Sequence, residues 1–396
     1  MKISGRIEKM QFSPIRKLVP FAEEAKKRGT KVYHLNIGQP DIETPKEFFD
    51  AVKNFDANVL EYAFSQGIPE LITAFKEYYG IFGINYENDE ILVTYGGSEA
   101  LLFALIAVGD YGDNVLVPQP FYTNYNAFSD MAGVTAVPIK TKAEDGFKLP
   151  DISEIEGLIT AKTKAFVLSN PGNPTGTVYG LEDMEKLKSL ALKHDLFIIS
   201  DEVYKEMIYD GKEFISFAQL TGINDRVIIT DSISKRYSAC GARIGCVVSK
   251  NKEVMQNILK LCQSRLSVAT LEQVGAAALA KVSKTYMQDV VKEYENRRNV
   301  VYNALMEIDG ISCKKPGGAF YIVASLPIED ADDFCKWLLS DFSYKGETVM
   351  FAPASGFYAT EGAGKNEIRI SYVLKEEDLI KAMNILKEAL IKYNSL

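Results

Sequence analysis

In the stretch Val227-Ile-Ile-Thr-Asp-Ser-Ile-Ser-Lys235 a lysine follows an apolar run, and an arginine, Arg243, stands eight residues beyond it. A lysine so placed is either a solvated surface group or an amine presented as a nucleophile to a carbonyl carbon. Ser232 and Ser234 lie in the same stretch. Four other segments also set polar groups directly after apolar runs. That is where open α/β sheets bind ligands, outside the carboxyl ends of their strands.

Thr94-Tyr-Gly-Gly-Ser-Glu-Ala-Leu101 puts Gly97 and Ser98 between a strand-like and a helix-like segment. Backbone amides and a hydroxyl at a helix N-terminus suit a phosphate, although a Gly-Gly turn with a serine cap also occurs without a ligand. Val117-Pro-Gln-Pro-Phe-Tyr122 brings Tyr122 to a strand end, either to stack on a planar group or simply to pack. Ser169-Asn-Pro-Gly-Asn-Pro-Thr-Gly176 is the densest turn motif, and its rigid backbone would hold Asn170 or Asn173 in a set direction. In Phe197-Ile-Ile-Ser-Asp201, followed by Tyr204, a carboxylate ends an apolar strand. Such a carboxylate either meets a cationic partner or caps a helix.

The elements that must position these groups are legible from periodicity. Between about 90 and 248, short Val/Ile/Leu runs alternate with amphipathic segments, the α/β signature. Strands are expected at 91–94, 114–118, 135–139, 165–168, 197–200, 227–230 and 244–248, and helices at 98–108 and 181–194. Leu181, Met184, Leu187, Leu190 and Ala191 form one core stripe. The expected fold is α/β: a mostly parallel seven-stranded sheet in a large domain, with a smaller α+β domain. A long helical stretch at 271–308 leads into the smaller domain, which has strands near 318–324 and 367–372 and helices at 330–339 and 376–393. The expected division is 1–45 for an N-terminal arm and part of the small domain, 46–285 for the large domain, and 286–396 for the small C-terminal domain.

Composition narrows the partners. The 396 residues are 47% hydrophobic, ample for well-buried cores, and a net charge of −8 without a basic block gives no footprint for nucleic acid or an anionic membrane. Five cysteines without a C-x-x-C pair read as reduced thiols, and two histidines are too few for a histidine metal site. No metal is expected. Without a signal-like or membrane-spanning segment the expected location is the cytoplasm.

Taken in order, these motifs resemble the pyridoxal-phosphate (PLP) enzymes of fold type I, and within them the class I and II aminotransferases related to aspartate and aromatic aminotransferases. The resemblance spans essentially the whole chain. It includes Asn36-Ile-Gly-Gln-Pro-Asp41, Tyr62-Ala-Phe-Ser-Gln-Gly67, Gly317-Gly-Ala-Phe-Tyr321 and Arg369-Ile-Ser371. It implies that Lys235 is the Schiff-base lysine and proton shuttle, and that Asp201 keeps the PLP ring nitrogen protonated. Tyr204 and Asn173 would bond the ring oxygen O3′, and Tyr122 would stack on the ring. Gly97, Ser98, Ser232 and Arg243 would hold the phosphate, with Tyr62 arriving from the other subunit of a homodimer. Arg369 would clamp the substrate α-carboxylate through a two-pronged bond, near Gly38.

The stretch Phe351-Ala-Pro-Ala-Ser-Gly-Phe357 departs from the usual Pro-Gly-x-x-Phe-Gly loop of such proteins. Arg265, in Gln263-Ser-Arg-Leu-Ser-Val-Ala-Thr270, is either a surface or interface arginine or a second carboxylate clamp. The activity expected is ping-pong transfer of an amino group from an L-amino acid, aspartate first, to a 2-oxo acid, 2-oxoglutarate first. A carbon–sulfur β-lyase and an aminocyclopropane-carboxylate synthase would use nearly the same residues, and a non-catalytic PLP-binding regulator is the remote third reading.

Overall fold

The computed structural model describes residues 1–283 and 285–396. Its strands, in chain order, are β1 (Lys31–His34), β2 (Ile91–Tyr95), β3 (Asn114–Gln119), β4 (Thr135–Lys140), β5 (Thr163–Ser169), β6 (Phe197–Asp201), β7 (Val227–Ser232), β8 (Ile244–Val248), β9 (Ser312–Cys313), β10 (Tyr321–Ser325), β11 (Glu347–Met350), β12 (Ala352–Pro353) and β13 (Glu367–Ser371). All seven strands expected between 91 and 248 form, and they make one seven-stranded sheet in the order β2-β8-β7-β6-β5-β3-β4. Its pairings are parallel except those of β8, which runs antiparallel to both β2 and β7.

Successive side chains of a strand point to opposite faces, so an unbroken apolar run requires cover on both sides. That is what forms. Ile198 of β6 and Ile229 of β7 belong to one core, while Ile199 and Ile228 belong to the core on the other face. The helix Leu181–His194 buries Met184, Leu187, Leu190 and Ala191 against the first of these. Leu181, expected in the same stripe, is 51% exposed because it begins the helix, where its side chain clears the sheet.

A third core joins the two ends of the chain. Leu18, Ala22, Tyr33 and Leu35 pack with Phe320, Phe334, Met350 and Leu386 around an antiparallel sheet, β12-β13-β10-β9, and a parallel pair, β1 with β11. The long helical stretch expected at 271–308 is divided into Thr270–Ala278, a 3₁₀ turn at Leu279–Lys281, and Tyr286–Met306. Val282 turns extended, and the Ser283 hydroxyl accepts the N–H of Thr285, a local bond that competes with helix.

Behind β7 lies a buried ionic knot. Asp231 Oδ2 accepts from Lys205 Nζ at 2.8 Å and from Arg236 at 3.0 Å, and all three side chains are at least 96% buried. Burial works to raise the Asp231 carboxyl, but the Arg236 and Lys205 charges outweigh it and hold the carboxyl below its usual range. The knot pins the turn that runs from Ser232 through Lys235. Removing one member strands buried charge, so Asp231→Ala is expected to destabilise the protein by about 3–5 kcal/mol. A urea or thermal midpoint within experimental error of the wild type would contradict the knot's role.

Candidate active site

The carboxyl ends of β5, β6 and β7 open onto one cavity of about 560 Å³. Asp201 enters it from the end of β6, Ser232 from the end of β7, and Ser234 and Lys235 from the turn that follows. Asn173 comes from the loop after β5, and Gly97 and Ser98 from the start of the helix Gly96–Val108. Tyr122, Tyr204 and Arg243 lie between these, while Gly38 and Arg369 close the side formed by the N-terminal segment and β13. Residues far apart in the chain meet because parallel strands place their following loops at one edge.

Asp201 is buried, and its Oδ2 accepts the Tyr125 hydroxyl at 2.9 Å while Oδ1 takes the Val203 N–H at 3.4 Å. Burial raises its carboxyl from an ordinary 3.8 to about 6, against the lowering effect of those hydrogen bonds. It is a carboxylate bonded to a phenol and an amide, with room in the cavity for a cationic N–H. The helix-cap reading of Asp201 does not hold, since no helix starts there.

Lys235 Nζ donates to Gly38 O at 2.8 Å and reaches Cys240 Sγ at 3.8 Å, so the amine faces the cavity rather than bulk solvent. Tyr204 and Tyr321 share a hydrogen bond between hydroxyls at 2.8 Å, and burial holds the Tyr204 phenol well above its ordinary range. Tyr122 is pushed up to about 12 by burial, so it enters as a neutral ring.

At the opposite end, Gly96 has φ +69°, and a Cβ there would lie 2.6 Å from an Arg243 nitrogen. Gly245 is equally constrained, since a Cβ would sit 2.6 Å from Asp231 O and 2.8 Å from the Gly97 nitrogen. The helix N-terminus, Ser98, Ser232 and Arg243 together form a cradle for a phosphate, with Gly96 rather than Gly97 carrying the steric requirement. Gly38 has the same logic, because a Cβ there would overlap the Tyr321 hydroxyl.

The two asparagines of the proline-rich loop divide their work. Asn170 is structural, its Oδ1 accepting the Tyr179 N–H at 3.0 Å and its Nδ2 donating to Tyr179 O at 3.4 Å. Asn173 faces the cavity, and its Oδ1 accepts from Arg369 Nη1 at 3.1 Å. Arg369 is 1% exposed, donates also to Asn36 O, and keeps Nε without a hydrogen-bond partner among the described residues. Its guanidinium lies 4.5 Å from the Tyr321 ring centre and 4.8 Å from that of Phe357. Burial lowers its pKa, yet a guanidinium stays charged in any protein.

Two expected site residues lie elsewhere. Tyr62 is 82% exposed, outside the cavity of its own chain. Arg265 caps the helix Lys252–Ser264, with Nε on Glu99 Oε2 at 3.1 Å and Nη2 on Val93 O at 2.7 Å, so within its own chain it braces the Gly96 turn, with Nη1 left unpartnered among the described residues and away from the cavity wall. Reading strand ends left out Tyr321, Tyr125, Cys240 and Arg16. Only Tyr321 had a signal, the Gly317-Gly-Ala-Phe-Tyr321 motif.

The chain matches the model of the family "Aminotransferase class I and II" over residues 30–386. A relative in Bacillus subtilis (strain 168), named aspartate aminotransferase, is 31% identical over all of both chains. The crystal structure of aspartate aminotransferase from Thermotoga maritima superposes with a TM-score of 0.90 at 30% identity, covering 98% of this chain and 100% of that one. An alanine aminotransferase from Pyrococcus furiosus superposes equally well, with a TM-score of 0.90 at 33% identity, covering 99% of this chain and 100% of that one. The chain belongs to the class I and II aminotransferases. It is a PLP-dependent aminotransferase of fold type I, and the cradle, the buried Asp201 and the inward amine of Lys235 fit that cofactor.

The raised carboxyl of Asp201 carries a stability cost with a definite pH window. Below about pH 4 the group is protonated in folded and unfolded chains alike and costs nothing. Between about pH 4 and 6 the unfolded chain has released its proton while the folded chain still holds it, so the cost grows across that window and is complete above about 6. Asp201→Asn is therefore expected to stabilise the cofactor-free protein at pH 7 but not at pH 4, and to weaken PLP binding. Equal urea midpoints for variant and wild type at pH 7 would refute this.

Proposed function

We propose that the protein transfers an amino group from a dicarboxylic L-amino acid, aspartate by preference, to 2-oxoglutarate in a ping-pong cycle. The observation that carries the α-carboxylate half of this reading is Arg369, a buried guanidinium on the cavity wall with Nε unpartnered. A planar carboxylate would satisfy it through two parallel bonds. The dicarboxylate half is supported by the excess of cationic over anionic side chains in the cavity wall and by the aspartate named for the B. subtilis and T. maritima proteins.

When bound, PLP supplies an aldehyde that captures amines and a pyridinium that draws electrons from the substrate α-carbon. Gly97, Ser98, Ser232 and Arg243 would hold its phosphate, Asp201 would pair with its ring N–H, Tyr122 would cover the ring face, and Tyr204 and Asn173 would bond its phenolic oxygen. Lys235, whose amine faces the cavity, would be the residue that holds it covalently. Its Nζ would be the base that takes the α-proton and returns it, with Arg369 and Gly38 holding the α-carbon within its reach.

The working unit in this reading is a cytoplasmic homodimer in which Tyr62 reaches the partner's phosphate cradle. It is supported by the exposed apolar run of Val59, Leu60, Tyr62 and Phe64, and the free state of all five cysteines fits a reducing compartment.

The test is a half-reaction screen that follows the PLP spectrum as single amino acids are added. Aspartate and glutamate should convert the cofactor faster than alanine or phenylalanine, and faster conversion by the neutral donors would overturn the substrate choice. Pyruvate and ammonia released without an oxo-acid acceptor would overturn the transfer itself. Lys235→Ala should abolish turnover. Arg369→Lys should raise KM for every donor by about tenfold or more, since an ammonium cannot reproduce the two-pronged bond.

A further inference from the structure

The charged side chains in the described cavity wall are Arg16, Lys235, Arg243, Arg369 and a single carboxylate, Asp201. In the reading above, on which this inference rests, four of them are used: lysine on the aldehyde carbon, Arg243 on the phosphate, Asp201 on the ring N–H, Arg369 on the α-carboxylate. Arg16 remains. It is exposed, and among the described residues its guanidinium makes neither an ion pair nor a hydrogen bond. A surplus cation in a cavity that takes an anionic cofactor and an α-carboxylate calls for one more anion.

The backbone around Arg16 is tied down, so its place on the wall is built. Its N–H donates to Ser13 O at 3.0 Å, and Ile15 O accepts from Asn36 Nδ2 at 3.1 Å. On the other side Lys17 pairs with Asp332, and Asp332 also accepts the Ser355 hydroxyl at 2.8 Å. Pro14 packs where any side chain at Gly356 would have to go. The Ala354–Phe357 turn, which departs from its usual form, is therefore the surface on which this segment rests.

Asn36 makes the arrangement specific. It is fully buried, its side chain holds Ile15 next to Arg16, and its own carbonyl receives Arg369. One residue thus sets the backbone of one arginine and the guanidinium of the other. We infer that Arg16 is the side-chain specificity determinant: with the α-carboxylate on Arg369, its guanidinium pairs with the distal carboxylate of a four- or five-carbon dicarboxylic substrate. Arg265, the arginine expected in that role, is engaged by Glu99 and Val93.

The test compares wild type, Arg16→Leu and Arg16→Lys as PLP-loaded enzymes. Two readouts are needed: kcat/KM for aspartate and for alanine, and the calorimetric Kd for succinate, a dicarboxylate without an amine. Arg16→Leu is expected to lower the aspartate-to-alanine ratio of kcat/KM by about tenfold or more, chiefly through KM, and to weaken succinate in parallel. Arg16→Lys should recover part of both. An unchanged ratio with unchanged succinate affinity overturns the inference while leaving the aminotransferase reading in place. Equal losses for aspartate and alanine also overturn it, since they would mark a structural role. Wild-type enzyme that converts alanine but not aspartate would overturn both the inference and the dicarboxylate choice.

Discussion

Asp201 is the constraint around which the site is organised. A carboxylate this deeply buried is costly unless something offsets the lost hydration, and here a phenol and a backbone amide do so only partly. Its carboxyl is accordingly raised to about 6. In the proposed reading a cationic ring N–H would complete the pair and offset part of that cost.

Keeping such a group in place demands rigidity behind it, and the sheet provides this by alternation. Ser232 and Lys235 turn toward the cavity, whereas Asp231 and Arg236 turn away and join Lys205 in the buried knot. The two layers separate tasks that would conflict in one place. In the knot the three charges meet at the Asp231 carboxylate, leaving only Arg236 Nε without a partner, while on the cavity side Arg369 Nε is unpartnered on the wall itself.

The substrate side is built differently. Arg369 stands on β13, Tyr321 on β10, Gly38 on the loop after β1, and Arg16 on the segment before the first long helix of the third core. None belongs to the seven-stranded sheet. In the proposed reading the cofactor half thus rests on the seven-stranded sheet, and the substrate half on segments from the two ends of the chain.

What could be read from the sequence has local physical causes. The seven strands appear because apolar runs between turn residues have few other folds available, and the helices Leu181–His194 and Glu376–Tyr393 form where their periodicity places them. Lys235, Asp201, Asn173 and Ser98 are legible because each ends or follows a strand or opens a helix, and the resemblance adds Gly38 and Arg369 on the same cavity; Tyr62, which it also implies, lies outside the cavity of its own chain. Arg265 and Arg16 were not separable that way. An arginine's role depends on which carboxylate or carbonyl comes within about 3 Å of it, and that is set by segments hundreds of residues away. Folding brought Glu99 and Val93 to Arg265 and left Arg16 at the cavity wall; the sequence alone determined the scaffold and the cofactor chemistry, and tertiary packing decided which arginine is engaged within the chain and which stands at the cavity.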